Sequence, residues 1–220
     1  MVGLMTSDLE KAGFVVLGWL LGLVGQRVVD TIRNAYDRKA IRKALAVEVN
    51  DLRARLAMTA AQMLQATGGY DIAFVRWLRP ILREYSGFYS TQDFIAALDQ
   101  VENWGDEKLK ATLDLWGSQR GDTGFEIKRY RAPFLDEKVA HLTLFSPEFQ
   151  QLALAISAKL AILNEESDVA WFYFTKTFDA GMDVENQKKL RFNANRAYRN
   201  IGQIARDTAD LMSWLLALKG

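Results

Sequence analysis

The stretch that decides the fold is residues 41–63, IRKALAVEVNDLRARLAMTAAQM, in which apolar side chains recur every three or four positions. The recurring residues are Ile41, Leu45, Val49, Leu52, Leu56, Ala60 and Met63. Because an α-helix turns once in about 3.6 residues, these side chains line one face of a single helix. The pattern predicts a long amphipathic helix over residues 32–67 that ends at the Gly68–Gly69 pair.

A second apolar face of this kind lies near the C-terminus. Its residues are Leu190, Ala194, Ala197, Ile201, Ile204, Thr208, Leu211 and Leu215. Asp183 is the predicted N-cap of this helix, and Ser146 followed by Pro147 predicts the start of a third long helix. These helices can pack as a bundle within one chain, although the same periodicity fits a coiled coil between two subunits.

Shorter elements fill the middle of the chain. Further helices are predicted over residues 71–85 with a kink or break at Pro80, 91–103, 106–116, and 168–178 with Asp168 as N-cap. The strand candidates, residues 125–131 and 142–145, have no turn-linked partner with which to form a hairpin. The sequence therefore predicts an all-α fold in which the middle segment caps a bundle of long heptad-patterned helices.

Residues 12–26, AGFVVLGWLLGLVGQ, carry no charge and are apolar on every helical face, which predicts a single transmembrane anchor. These 15 residues reach about 23 Å, and extension to Val29 with a snorkelling Arg27 reaches about 27 Å, close to a hydrocarbon core of about 30 Å. The predicted organisation is a tail over residues 1–11, an anchor over 12–30 and a cytoplasmic helical domain over 31–220. A buried or interfacial helix at residues 12–26 remains the alternative, whereas Asp8 and Glu10 argue against a cleaved signal peptide.

A basic cluster follows the apolar run and sets the expected orientation. It comprises Arg27, Arg33, Arg38, Lys39, Arg42 and Lys43. Since Lys and Arg accumulate on the cytoplasmic side of membrane spans, we expect the N-terminus outside and the C-terminal domain in the cytoplasm, at the inner membrane.

Three glycines mark a smooth face on the predicted anchor. Gly18 and Gly22 form a G-x-x-x-G pair, and Gly25 lies on the same side. Such a face allows two helix backbones to approach closely. The sequence thus predicts the lipid bilayer and a second copy of the chain as partners, together with a possible protein partner.

Composition restricts the chemistry. The chain has no cysteine and a single histidine, so thiol catalysis, thiolate metal sites and two-histidine metal sites are excluded. Lys+Arg number 28 against 27 Asp+Glu, and this near-neutral balance argues against nucleic acid as a partner. No phosphate loop or catalytic set is apparent, and we expect no cofactor, no metal and no enzymatic activity.

Candidate binding residues are few. His141 lies between apolar neighbours, and Trp171, Tyr173 and Phe174 form an aromatic cluster that could floor a pocket, although aromatics at this spacing are usually core. On the last helix, cations share the side opposite the apolar face, where a solvated surface is the simpler interpretation than a phosphate or lipid track. They are Lys189, Arg196, Arg199 and Arg206.

The stretch from Gly18 to Ala57, an anchor that runs directly into a basic helix, resembles the start of many bacterial single-pass proteins. These include small accessory effectors of phage-defence systems, and the resemblance implies anchors that associate beneath helical cytoplasmic domains. Three hypotheses follow: a non-enzymatic anchored protein that self-associates or docks a partner, an oligomeric effector that perturbs the membrane, and a soluble helical ligand sensor or enzyme with residues 12–26 buried.

Overall fold

The computed structural model describes residues 3–87, 90–119, 128–179 and 181–218, except for the side chains of 3–18, 20–21, 23–24 and 113–119. In chain order the α-helices are α1 (Gly3–Thr67), α2 (Ile72–Arg83), α3 (Gln92–Glu102), α4 (Asp106–Gln119), α5 (Pro133–Glu137), α6 (Pro147–Lys176) and α7 (Val184–Ala217). A 3₁₀-helix, Val139–Leu144, lies between α5 and α6. The described residues contain no strand, so the all-α prediction is confirmed. The chain divides into two units, residues 1–44 and 45–220.

The predicted anchor falls in the first part of α1. Among the described residues, no helix is both long enough and apolar enough to cross a bilayer. The backbone of residues 12–30 is helical, but most side chains of this stretch lie outside the described residues. The anchor therefore stays a prediction.

The two predicted apolar faces form the core. All seven residues of the face that begins at Ile41 are buried. On α7 the predicted face is buried apart from Leu190, Ile204 and Leu211, which are half-buried. Both N-caps are also confirmed, because Ser146 Oγ accepts the Phe149 N–H at 3.3 Å and Asp183 Oδ1 accepts the Asn186 N–H at 2.9 Å. The bond from Asn186 is the main reason that the pKa of the Asp183 carboxyl is lowered.

Two local predictions are wrong, and one alternative of a third is wrong. The helix expected to begin at Asp168 is the C-terminal part of α6, and Asp168 instead accepts hydrogen bonds from Arg129 at 2.7 and 2.8 Å. The strand candidate at residues 142–145 overlaps the 3₁₀-helix, in which Leu142 is buried. Of the kink or break predicted at Pro80, the break does not occur, because a proline in the last turn of α2 removes only one backbone hydrogen bond. Of the other strand candidate, residues 128–131 are irregular and 125–127 lie outside the described residues.

Helices α1 and α7 run antiparallel within the unit formed by residues 45–220. A Cβ added at Gly202 would lie 3.0 Å from Leu64 Cγ and 3.2 Å from Met63 Cβ, so the two backbones approach closely there. Arg199 Nη2 donates to the Thr67 carbonyl at 3.0 Å. Only glycine fits this crossing without displacing its neighbours.

A buried arginine joins three helices. Arg53 on α1 is 5% exposed, and its Nη2 donates to Glu84 Oε2 at 2.8 Å and to Asn50 Oδ1 at 2.9 Å. Its Nη1 lies 3.4 Å from Ser213 Oγ on α7. Because a buried guanidinium is stable only when it is paired, these bonds fix the end of α2 against α1 and α7.

The chain between α4 and α6 is held by side chains of the long helices. Glu48 on α1 accepts the N–H groups of Phe134 and Leu135 at 2.8 and 3.0 Å, and so caps the start of α5. Asn164 on α6 exchanges two hydrogen bonds with the Tyr130 backbone, at 2.9 and 2.8 Å. The Tyr130 hydroxyl shares a short hydrogen bond with Thr59 on α1.

The crossing at Gly202 yields a stability prediction. Gly202→Val should lower the free energy of unfolding by about 2 kcal/mol, because the added methyl groups would overpack the contact with Leu64 and Met63. Chemical denaturation followed by circular dichroism measures this change. Asn195→Val, which adds the same side chain at an exposed site on α7, should change stability by less than about 0.5 kcal/mol. Equal effects of the two substitutions would contradict the proposed close approach.

Candidate functional site

An exposed stripe on α1, named here the α1 stripe, consists of Gly22, Gly25, Val29, Ile32 and Tyr36. Successive members are separated by three, four, three and four residues, so they lie on one side of the helix. Val29 is 62% exposed, Ile32 64% and Tyr36 77%. An apolar row of this length is unusual on a solvated helix and is typical of a contact surface.

The glycines form the flat end of the α1 stripe. A Cβ added at Gly22 or Gly25 would meet no atom within 4 Å, so both positions face open space. The sequence grouped these two with Gly18, whose surroundings lie outside the described residues. The structure adds Val29, Ile32 and Tyr36 to the same side, which the glycine pattern alone had not indicated.

Part of the α1 stripe borders a shallow groove of about 370 Å³. Its lining residues are Val29, Ile32, Arg33, Tyr36 and Asp37. All five belong to one helix, so the groove lies between neighbouring side chains and encloses no ligand-sized cavity. At its edge, Arg33 and Asp37 form an exposed ion pair at 4.0 Å, which contributes little to stability.

The predicted basic cluster surrounds this part of α1. Arg27, Arg33, Arg38, Lys39 and Lys43 are exposed, and Arg42 is half-buried. Arg33 contacts Asp37. Anionic groups at the surface of the helix can reach the exposed cations Arg27, Arg38, Lys39 and Lys43.

The aromatic cluster lies at the C-terminal end of α6. Trp171 and Phe172 are each more than half exposed, whereas Tyr173 and Phe174 are half-buried. The rings of Trp171 and Phe174 have centroids 5.8 Å apart, and Phe178 adds an edge-on contact to Phe174 at 5.1 Å. This cluster is neither the usual core nor an enclosed pocket but an apolar surface.

His141 does not join the aromatic cluster. It is exposed in the 3₁₀-helix that directly precedes α6. Trp171 follows Pro147, the first residue of α6, by 24 positions, or about 36 Å along the helix. The structure therefore places the four predicted pocket residues at opposite ends of α6.

Sequence reasoning missed the outer surface of α6 and an aromatic side chain of α7. Leu154, Ile162 and Val169 are exposed on α6, although the opposite side of that helix is buried. Phe192 on α7 is 69% exposed. The sequence carries a signal for this surface, because apolar residues occur on two sides of α6. A prediction that assigns one apolar face to each helix does not reveal the second side.

Comparison with known proteins adds no assignment. No protein-family model matches the sequence, and no curated protein or solved structure matches it significantly. Within the described ranges, no group of three or more His, Asp or Glu side chains could hold a metal ion. The candidate site is thus a set of contact surfaces, of which the α1 stripe is the most regular.

Tyr70 gives a test of the packing between α1 and α2. Burial raises its pKa to about 12, and its ring lies 5.0 Å from that of Phe74. Because the unfolded chain loses this proton near pH 10 and the folded chain near pH 12, the contribution of Tyr70 to stability is complete below pH 10 and is lost as the pH rises to 12. Tyr70→Phe should therefore flatten the decline of the unfolding free energy across that window.

The measurement is urea denaturation of both proteins at a series of pH values. Near pH 8 the phenylalanine variant should differ from the natural chain by a constant amount, and only above about pH 10 should that difference change. If the curves of unfolding free energy against pH for the two proteins stayed parallel across the alkaline range, the Tyr70 hydroxyl would not be buried.

Proposed function

We propose that this chain is a membrane-anchored, non-enzymatic protein that acts by binding a second copy of itself through the α1 stripe. The observation that carries the proposal is the unbroken row from Gly22 to Tyr36, exposed along its whole length. Ile32 and Tyr36 lie beyond the predicted anchor, and a helix that projects these side chains into water gains free energy when another helix covers them.

The anchor is supported by the sequence around the glycine end of the α1 stripe. Residues 12–26 carry no charge, and the basic cluster from Arg27 to Lys43 follows at once. In this arrangement the N-terminus lies outside the inner membrane and the helical domain lies in the cytoplasm.

A second copy is favoured as the occupant because of symmetry and spacing. Two chains that are inserted in the same direction present identical residues at identical depth, so the α1 stripe meets its own counterpart in a parallel pair. The alternating spacing of three and four residues is the one that packs in a left-handed coiled coil. The glycines allow close approach at one end, where a bulky side chain would separate the helices.

The free energy gained by covering the α1 stripe is sufficient for self-association when membrane anchors align the two chains. Covering Ile32 and Tyr36 of both copies, which lie beyond the predicted anchor, is worth on the order of 5 kcal/mol, given their exposure in the single chain. Association in solution costs a comparable amount in lost freedom of motion. Anchors that already confine and align the chains reduce that cost, which links membrane insertion to self-association.

The exposed aromatic residues also favour a docking role over a ligand sensor. Small-molecule sites are concave and cover most of their ligand, whereas Trp171 and Phe172 lie on an open surface.

Self-association is tested by a charge within the α1 stripe. Ile32→Asp should weaken the oligomer at least about tenfold, because each copy would bring a carboxylate into the apolar contact. Analytical ultracentrifugation in detergent, supported by crosslinking in membranes, measures the oligomeric state. Asn34→Asp adds the same carboxylate to an exposed site on another side of α1 and should leave the oligomer intact. A natural chain that stays monomeric in both assays would refute the proposal.

Anchoring is tested separately. Leu21→Arg should release the protein from membranes, because an arginine near the centre of a span costs about 2.5–3.5 kcal/mol of insertion free energy. Carbonate extraction measures integration, and protease protection of a C-terminal tag in spheroplasts measures orientation. Leu21→Ala, which shortens the side chain without a charge, should stay in the membrane fraction. If carbonate released the natural protein from membranes, residues 12–26 would not span the bilayer.

A further inference from the structure

A basic segment without acidic residues follows Glu185 in α7. Residues 186–206 include six cations and no aspartate or glutamate, although the whole chain has 28 cations and 27 acids. Lys189 pairs with Glu185 at 2.9 Å, and the other cations of the segment form a local excess of positive charge that the near-neutral total conceals. Charge of one sign that is concentrated on one helix attracts polyanions even when the net charge is close to zero.

The exposed cations lie around an exposed aromatic ring. Phe192 is 69% exposed, with Lys188 four residues before it and Arg196 four residues after it on the same side of the helix. Lys188 and Arg196 are exposed and make no ion pair with any residue in the described ranges. Asn195, also exposed, adds an amide between Phe192 and Arg196 on this surface.

The opposite side of the same segment is buried in the helical domain. Ala194, Ala197 and Ile201 are buried, so this part of α7 has no free apolar side that could insert into a membrane. Its outer side is a row of cations and amides with one ring. Cations and amides bind phosphate and sugar oxygens, and a flat aromatic ring stacks on an unpaired base.

The position of this segment leaves it accessible. Because Arg199 contacts Thr67, the last residue of α1, the part of antiparallel α7 from Val184 to Tyr198 extends past the end of α1. The side chains of Lys188, Phe192 and Arg196 are exposed, so the outer side of this stretch lies in solvent.

We propose that the outer side of α7 around Lys188, Phe192 and Arg196 binds single-stranded nucleic acid, with the cations on the phosphates and the phenylalanine stacked on a base. This inference goes beyond self-association and does not depend on it. A duplex is a poorer ligand, because its bases are already stacked and are not available to Phe192.

The test uses the full-length protein in neutral detergent and a fluorescein-labelled oligodeoxythymidylate of about 30 nucleotides, a length that exceeds typical single-strand site sizes. Fluorescence anisotropy should show binding that weakens as salt rises. Lys188→Gln together with Arg196→Gln should weaken binding about tenfold and lower the slope of log affinity against log salt by about 1.4, the value for two lost phosphate contacts on a single strand.

The matched control carries Arg76→Gln and Lys110→Gln, which remove two exposed cations from other helices and should bind as the natural chain does. Phe192→Ala should weaken binding about tenfold with an unchanged salt slope, and Phe192→Trp should restore it. Circular dichroism melts of each variant establish that the fold is kept, which is expected because all substituted sites are exposed.

Three results would overturn the proposal. The first is no anisotropy change at about 50 mM salt, where phosphate contacts are strongest. The second is equal weakening by both double variants, which would indicate nonspecific attraction. The third is binding only to vesicles that contain phosphatidylglycerol, lost on Lys188→Gln and Arg196→Gln, which would make this surface a lipid contact.

Discussion

The close antiparallel contact between α1 and α7 at Gly202 is the interaction on which the helical domain depends. Because position 202 has no side chain, the α7 backbone reaches Leu64 and Met63, and this fixes the register of the two longest helices. That register brings Ser213 beside Arg53. It also places α7 next to α2, where Trp77 Nε1 donates to Asp210 Oδ1 at 2.7 Å and Arg206 lies over the Trp77 ring. The polar contacts that hold α2 are thus a consequence of one backbone crossing.

The same packing explains which surfaces stay open. One side of α6 packs against α7. The other side remains in solvent and carries Leu154, Ile162 and Val169. One side of α7 is buried in the core, and its cations are exposed except for Arg206, which is half-buried. Contiguous exposed apolar surfaces of this kind are typical of sites that contact other molecules.

Much of the fold follows from the sequence because long helices repeat their pattern many times. The apolar faces of α1 and α7 and the caps Ser146 and Asp183 were predictable for this reason. The roles of the polar residues inside α6 were not predictable from the sequence. Asp168 has the composition of an N-cap, but its partner Arg129 is distant in sequence, and a local pattern contains no information about such a partner. The contact surfaces were predictable only in part, since the glycines indicate close approach, whereas the exposure of Phe192 and Trp171 depends on where other helices end.

The capping of α5 by Glu48 has a consequence for the order of folding. Helix α5 has five residues and no side-chain cap of its own, so it is too short to persist alone. The carboxylate that accepts its first N–H groups lies 86 residues earlier in the chain. Closing a loop of that length is slow compared with forming a local helix turn. α5 therefore forms late, after α1 is in place, and its backbone amides report whether the domain has finished folding.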